Sequence, residues 1–355
     1  MDNQSAGQFN GNKFPKALLL KSNSIRLEYF ANKIIQHDII NQVLKDVMHA
    51  IRYPTKASMI TVCGPTGVGK TTLLRRVLQQ VDREIAAGQL GINQARHPGI
   101  MVEVPAPILG YFKWRDFHIR LLPELDRLLD NKVNVAGMHH GTDGQLIIGS
   151  EVKGDLLNLT VEESLRQCQL AVLIADEAPH IAKIARGSRL VDQMDVIKSL
   201  ASLAQTRPLL AGTYELIDMI NLNGQACRRS VDIHFRRYHY DNEDERKQFL
   251  KVLQTFQYNL PFPETPNLLA HAEYLYEGCL GCIGVLKDWL YRASATAMEE
   301  NNATLTLAHL EHHTLSFDKL VRMARELRSG EILRNKETRR EQLREILGMK
   351  TANNK

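Results

Sequence analysis

The sequence predicts an α/β fold, a parallel sheet with helices on its faces, followed by an all-helical segment, and three observations carry that expectation. Met59-Ile60-Thr61-Val62-Cys63 is a short apolar, β-branched run that leads into a glycine-rich loop. The apolar residues after the loop, Leu73, Leu74, Val77, Leu78, Val81 and Ile85, recur at helical spacing until Gly88 stops them. Residues 170–175 form a second, unbroken apolar run, the mark of a strand buried on both faces of a parallel sheet, and it ends in Asp176-Glu177. From Asp241 onwards the pattern is helical throughout.

The loop is Gly64-Pro65-Thr66-Gly67-Val68-Gly69-Lys70-Thr71, with Thr72 following, and it fits G-x-x-x-x-G-K-[ST] without a gap. Glycines let the backbone wrap a phosphate chain with its N–H groups inward, and the helix behind adds its positive end. Lys70 then reaches the β and γ oxygens and Thr71 offers a hydroxyl to Mg²⁺, so this is a Walker A loop for ATP. Asp176-Glu177 reads as the matching Walker B pair: Asp176 holds Mg²⁺ through water, and Glu177 stands where a general base polarises the attacking water. A chance match to either motif becomes untenable when both follow strands in this order.

At 355 residues, with 44% apolar and 24% charged, the chain has the composition of a soluble globular protein of two or three domains. No run approaches 18 apolar residues and the first 13 lack an apolar core, so no membrane role and a cytoplasmic location are expected. Five cysteines are too few and odd in number for a disulfide framework. Cys279-Leu280-Gly281-Cys282 is a lone C-x-x-C in a helical stretch and reads as two small core residues. Residues 319–350 hold ten Lys/Arg against five Glu, a basic end suited to nucleic acid or an acidic protein, or simply a solvated helix.

In chain order, residues 1–23 are expected to be a polar, mobile tail. An α/β nucleotide-binding domain over 24–240 opens with one or two helices broken near His37-Asp38. After the Walker A helix come a strand over 100–105 and an amphipathic helix over 114–130 carrying Pro123. Lys70 to Asp176 spans 106 residues, more than a helix, a strand and a helix require, so an insertion is expected over about 106–155, with a hairpin at 139–149 turning at Asp143-Gly144. Thr160-Val161-Glu162-Glu163 reads as a capping box opening the helix before the second motif. A helix over 190–206, a strand over 208–212 ending at Thr213, and a last strand over 231–235 complete this domain. In the helical region, 241–330, Asp241 caps the first helix, Thr265-Pro266 starts a second, 281–299 gives a third and Thr306 opens a fourth. A basic tail over 331–355 is expected to end in a short amphipathic helix with a stripe of Leu343, Ile346 and Leu347 that needs a partner.

The order Walker A, Walker B, polar residue after the next strand, arginines, then helical lid resembles the AAA+ superfamily. More specifically, Gly212-Thr213-Tyr214-Glu215-Leu216, then Gln225-Ala226-Cys227-Arg228-Arg229-Ser230, then Ile233-His234-Phe235-Arg236-Arg237-Tyr238 resemble the TnsC/TniB family of transposition regulators, over roughly residues 24–300. The resemblance implies that Thr213 is the sensor-1 residue and that Arg228 or Arg229 is the finger reaching a neighbour's ATP. It also puts Lys287 at the sensor-2 position, where the family carries arginine and a planar fork is lost. It implies a homo-oligomer, a ring or helical filament, on double-stranded DNA. Its partners would be a TnsD/TniQ-type targeting protein, a DDE transposase of TnsB-like kind and a TnsA-like endonuclease. Lys113, Arg115, Arg120 and Lys132 are the basic residues that the insertion offers to DNA.

Two rival readings share these motifs. One is a helicase loader or replication initiator. Asp176-Glu177-Ala178-Pro179-His180 is not the D-E-A-H box of helicases, because Pro179 intervenes. The other is an adaptor that binds nucleotide without turning it over.

Overall fold

A computed structural model describes residues 13–53, 59–89, 97–108, 112–182, 206–221, 230–332 and 336–349, with Gln193, Val196, Ile197, Ser199, Leu200, Ser202 and Arg334 as isolated positions. The chain divides into two compact units, residues 38–236 and residues up to His37 joined with those from Arg237 onwards.

The first unit is built on five parallel strands: β1 Met59–Cys63, β2 His97–Glu103, β5 Leu170–Asp176, β6 Arg207–Gly212 and β7 Ser230–His234, in the order β2-β5-β6-β1-β7. Every residue of β1 and β5 is buried, as their unbroken apolar runs require. Helices α2 (Asp38–Arg52) and α3 (Lys70–Ala86) pack together, and a salt bridge from Arg52 to the buried Glu84 ties them. On the opposite face, α4 (Trp114–Leu128) and α5 (Gly154–Cys168) join α6 (Pro179–Ala182) and α7 (Glu215–Asn221). There Leu121, Leu125, Leu157 and Leu165 form one core with Cys63, Leu173, Ala175 and Leu210 from the sheet.

The insertion contains the expected hairpin, β3 (Met138–His140) paired antiparallel with β4 (Leu146–Ile148). Asp126, 1% exposed at the end of α4, fixes it: one carboxylate oxygen accepts from the Val133 amide at 2.8 Å and the other meets His140 Nε2 at 2.8 Å. The capping box expected at Thr160 is not a helix start. Helix α5 begins at Gly154, and Thr160 lies in its middle with Oγ1 bonded back to the Leu156 carbonyl at 2.8 Å, a local alternative open to any mid-helix threonine. Most of the helix expected over 190–206 lies outside the described residues.

The second unit is helical apart from its loops. It contains α1 (Asn23–Asn32), α8 (Glu243–Asn259), α9 (Ala272–Cys279), α10 (Ile283–Glu299), α11 (Leu307–His313), α12 (Phe317–Ile332) and α13 (Lys336–Ile346). Regular structure starts within the stretch expected to be a tail: Lys16–Leu20 is a 3-10 turn, and the amide of the buried Phe14 donates to the Tyr258 carbonyl at 2.9 Å. The first helix after residue 241 is capped by Asn242 rather than Asp241, the Asn242 side chain accepting from the amides of Asp244 and Glu245. The second starts later than Thr265-Pro266, as a 3-10 turn at Leu269–His271 followed by α9. Thr306 does cap a helix, in a box completed by His309, but that helix ends at His313 and α12 begins anew. Cys279 and Cys282 are fully buried as small core residues, neither in a disulfide, and burial pushes the Cys279 thiol well above its usual range.

A charge network ties α12 to the segment before α8. Arg237 Nε donates to Glu331 Oε1 at 2.7 Å and its Nη2 to Oε2 at 3.2 Å, while His239 places Nε2 3.2 Å from Glu331 and Nδ1 3.1 Å from Glu245. With both ring nitrogens facing carboxylates, the imidazolium satisfies both. The bond to Glu331 raises the pKa of His239 above 6.5. Burial alone would raise that of Glu331, but hydrogen bonds from His239 and Arg237 outweigh it and hold the acid at about 2. Glu331→Gln should therefore cost this unit roughly 2 kcal/mol. The carboxylate's contribution is complete above pH 4.5 and is lost as pH falls toward 2; that of His239 is complete below pH 6.5 and is lost as pH rises through its raised value. Denaturant melts should show the largest wild-type advantage between pH 4.5 and 6.5, and a difference that does not vary with pH would remove the network from this role.

Candidate nucleotide site

The parallel register brings the carboxyl ends of β1, β5 and β6 to one edge, where a parallel sheet of this kind presents ligands. Cys63 pairs with Gly212 and with His234, and the Gly64 amide continues the ladder by donating to the Gly212 carbonyl at 3.2 Å. The loop from Gly64 to Thr71 leaves β1 here and enters α3 through Gly69, whose φ of +108° is open to glycine and strained for other residues. Pro65 and Val68 are buried, Gly67 turns at φ +75°, and Thr66 faces solvent. Lys70, 7% exposed, folds back so that its ammonium donates to the carbonyls of Gly64 at 3.0 Å and Pro65 at 2.9 Å. A cation is thus held inside the ring of loop amides. Thr72 is half-buried on the next position of α3.

The two motifs meet. Thr71 Oγ1 donates to Asp176 Oδ2 at 2.7 Å, and the other oxygen of this buried carboxylate accepts from the Glu177 amide at 3.0 Å. A hydroxyl and a carboxylate side by side are hard oxygen donors of the kind Mg²⁺ takes, so these residues fit the ion. Glu177 leaves the strand at φ +53°, a left-handed conformation that costs a non-glycine residue about 1 kcal/mol or more. Contacts on each side hold it there. The Ala178 amide donates to the Ala211 carbonyl at 2.8 Å, Pro179 packs where Gly212 leaves no room for a Cβ, and His180 Nδ1 lies 3.0 Å from the Val104 carbonyl. The Glu177 carboxylate has no hydrogen-bond partner among the described residues. Thr213 follows β6 directly, and its carbonyl accepts from the Leu216 amide at the start of α7.

Arg228 and Arg229 lie outside the described residues. Lys287 belongs to the helical unit, where its ammonium caps α1 through the carbonyls of Ala31 at 2.6 Å and Lys33 at 2.9 Å, and burial lowers its pKa. In the insertion, the Arg115 guanidinium binds the carbonyls of Val152, Gly149 and Ser150, clasping α4 to the turn after the hairpin. Arg120 donates to the Glu103 carbonyl at 3.0 Å. Lys113 is half-buried and Lys132 exposed. Three residues from the sequence blocks at 212–216 and 233–238 complete the surroundings. Phe235, fully buried, donates its amide to the Cys63 carbonyl at 2.8 Å and puts its own carbonyl against Gly64, while the Tyr214 hydroxyl meets His234 Nε2 at 3.0 Å. These contacts join segments separated in the chain, so the blocks that carry the residues do not by themselves announce the pairing. Among the described residues no group of three or more His, Cys, Asp or Glu is placed to bind a metal, and no helix is long and apolar enough to cross a membrane.

Residues 52–220 match the AAA domain family. No curated protein matches the chain. Among solved structures, it is similar to the Aeropyrum pernix ORC1 protein in complex with DNA, with TM-score 0.53 and 14% identity, covering 81% of this chain and 68% of that one. It is similar to the Aeropyrum pernix ORC2 protein in its ADP form, with TM-score 0.51 and 13% identity over 81% and 71% of the two chains. A Walker-type ATPase of Pyrococcus abyssi gives TM-score 0.46 and 14% identity over 88% and 77%. A central parallel sheet flanked by helices, with a glycine-rich loop after its first strand, an acidic pair after β5 and a helical region following, is the fold of an AAA+ P-loop NTPase.

Proposed function

We propose that the chain is a DNA-associated AAA+ ATPase whose nucleotide state controls its assembly. The observation that carries this is the 2.7 Å contact of Thr71 with Asp176 beside a Glu177 carboxylate that has no hydrogen-bond partner among the described residues. In this reading the amides of Gly67, Gly69 and Lys70 bind the phosphates, and the Lys70 ammonium exchanges carbonyl partners for the β and γ oxygens. Thr71 and Asp176 hold Mg²⁺, which supplies charge neutralisation to the phosphate chain. Glu177 accepts the proton of the attacking water and Thr213 orients that water or the γ-phosphate. Arg228 or Arg229 would complete a neighbouring subunit's site, and Lys287 would need to leave its α1 carbonyls to act as sensor 2.

The likeness in fold to an ORC1 protein solved with DNA favours an initiator or loader over the other readings. The transposition-regulator reading, with TnsD/TniQ-type and transposase partners, rests on the sequence blocks at 212–216, 225–230 and 233–238. Both require duplex DNA and a homo-oligomer, and both give the insertion a phosphate-binding role to which the exposed Lys132 is better suited than the carbonyl-bound Arg115 and Arg120. ATP turnover measured with and without duplex DNA, together with electron microscopy of the ATP-bound protein, tests the shared part. DNA binding should weaken by roughly 0.9 log unit per log unit of salt for each phosphate neutralised. Binding that keeps a strong sequence preference at high salt would favour the initiator and count against the transposition regulator; no effect of DNA on assembly or turnover would defeat both.

A further inference from the structure

We infer that His180 is a positioning residue for Glu177, coupling the orientation of that carboxylate to the end of β2; the inference rests on the ATPase reading above. Glu177 occupies a left-handed backbone conformation that its side chain does not favour, so its surroundings must impose it. Two of the restraints come from β6: the Ala211 carbonyl receives the Ala178 amide, and Gly212 receives the Pro179 ring. The third comes from the other side and is made by a side chain. His180 Nδ1 lies 3.0 Å from the carbonyl of Val104, whose own amide donates to the Asp176 carbonyl at 2.9 Å. A carbonyl only accepts, so Nδ1 carries the hydrogen. Val104 is therefore bound by its amide to the residue before Glu177 and by its carbonyl to the residue three after it, and the turn bearing the general base is closed on β2 like a loop on a peg.

Val104 is also where the chain leaves the sheet toward α4 and the hairpin. A shift of that connection, such as a ligand on the insertion would produce, has a direct route to Glu177 through one hydrogen bond, without passing through the phosphate loop. Loss of the bond should relax the Glu177 turn while Lys70, Thr71 and Asp176 keep their places, so turnover and binding should separate.

The test is steady-state ATP hydrolysis, with ATP affinity measured by a fluorescent analogue, in full-length variants. His180→Ala should lower kcat about tenfold or more with nucleotide affinity changed less than about twofold, since small misplacement of a reacting group is costly. His180→Asn, whose amide nitrogen sits at the depth of Nδ1 and can donate to Val104, should recover most of the loss; His180→Gln, whose amide is one carbon further out, should not. In a Glu177→Gln background His180→Ala should change the residual rate little, because the two act through one group. Wild-type kcat in both His180→Ala and His180→Gln, or a loss in His180→Ala that His180→Asn does not recover, overturns the assignment. If His180→Ala does not fold, the Asn and Gln variants decide alone. A wild-type protein that binds ATP and never hydrolyses it would instead defeat the ATPase reading itself.

Discussion

Glu177→Gln is expected to reduce ATP turnover by at least about two orders of magnitude, the usual worth of a general base, while ATP binding stays intact. Lys70→Ala is expected to abolish binding, and turnover with it. The difference follows from what each side chain touches. Lys70 is inside the loop, its ammonium 3.0 Å and 2.9 Å from two loop carbonyls, so its removal takes away the charge that the loop encloses and opens a void in the cradle. Glu177 contributes only its backbone to the structure around it: the amide holds Asp176, while the carboxylate is unengaged among the described residues. Glutamine keeps the size and the amide and removes only the proton acceptor. Binding of a labelled ATP analogue and phosphate release, measured on the same two proteins, separate these outcomes. An assembly that persists longer on DNA with Glu177→Gln than with the native chain would further favour hydrolysis as the disassembly step. Loss of binding in Glu177→Gln would remove it from the role of base.

How far the sequence reveals this molecule depends on the range of the interaction concerned. The strands β1, β5 and β6 were legible because parallel, doubly buried strands must be apolar along their whole length, and the Walker loop because its glycines and lysine answer to local backbone geometry. The hairpin at β3 and β4 was legible from Asp143-Gly144 for the same local reason. Helix starts were less so. Thr160 has the letters of a cap, yet tertiary packing of Leu157 and Val161 extends α5 back to Gly154, and Asn242 outcompetes its neighbour Asp241 for the start of α8. The charged residues of the insertion were least legible. Arg115 and Arg120 look like phosphate ligands in one dimension, but carbonyls left without ladder partners in the turn after β4 and at the end of β2 claim their guanidinium groups. The same holds for Lys287 and the carbonyls that end α1.

Gly64→Ala should be the most damaging single methyl addition in the site. A Cβ at this position would collide with the main-chain carbonyl of Phe235, and neither partner has room to retreat. Gly64 is held by its amide on Gly212, and Phe235 by its amide on Cys63 and by a ring that is fully buried close to Gly69. Relief therefore requires β7 and the phosphate loop to separate, breaking the ladder where it reaches the site. Overpacking against side chains typically costs 1–3 kcal/mol, and against a pinned backbone the cost should reach about 3 kcal/mol or more. Because the strain falls on the loop, ATP affinity should drop at least about tenfold, in addition to the fall in melting temperature. Gly88→Ala makes the control, since among the described residues nothing lies within 4 Å of a Cβ there and it is the φ of +64° that resists substitution, so its cost should be near 1 kcal/mol with affinity unchanged. Equal melting temperatures and equal ATP affinities for the two variants would mean that Phe235 does not brace the loop.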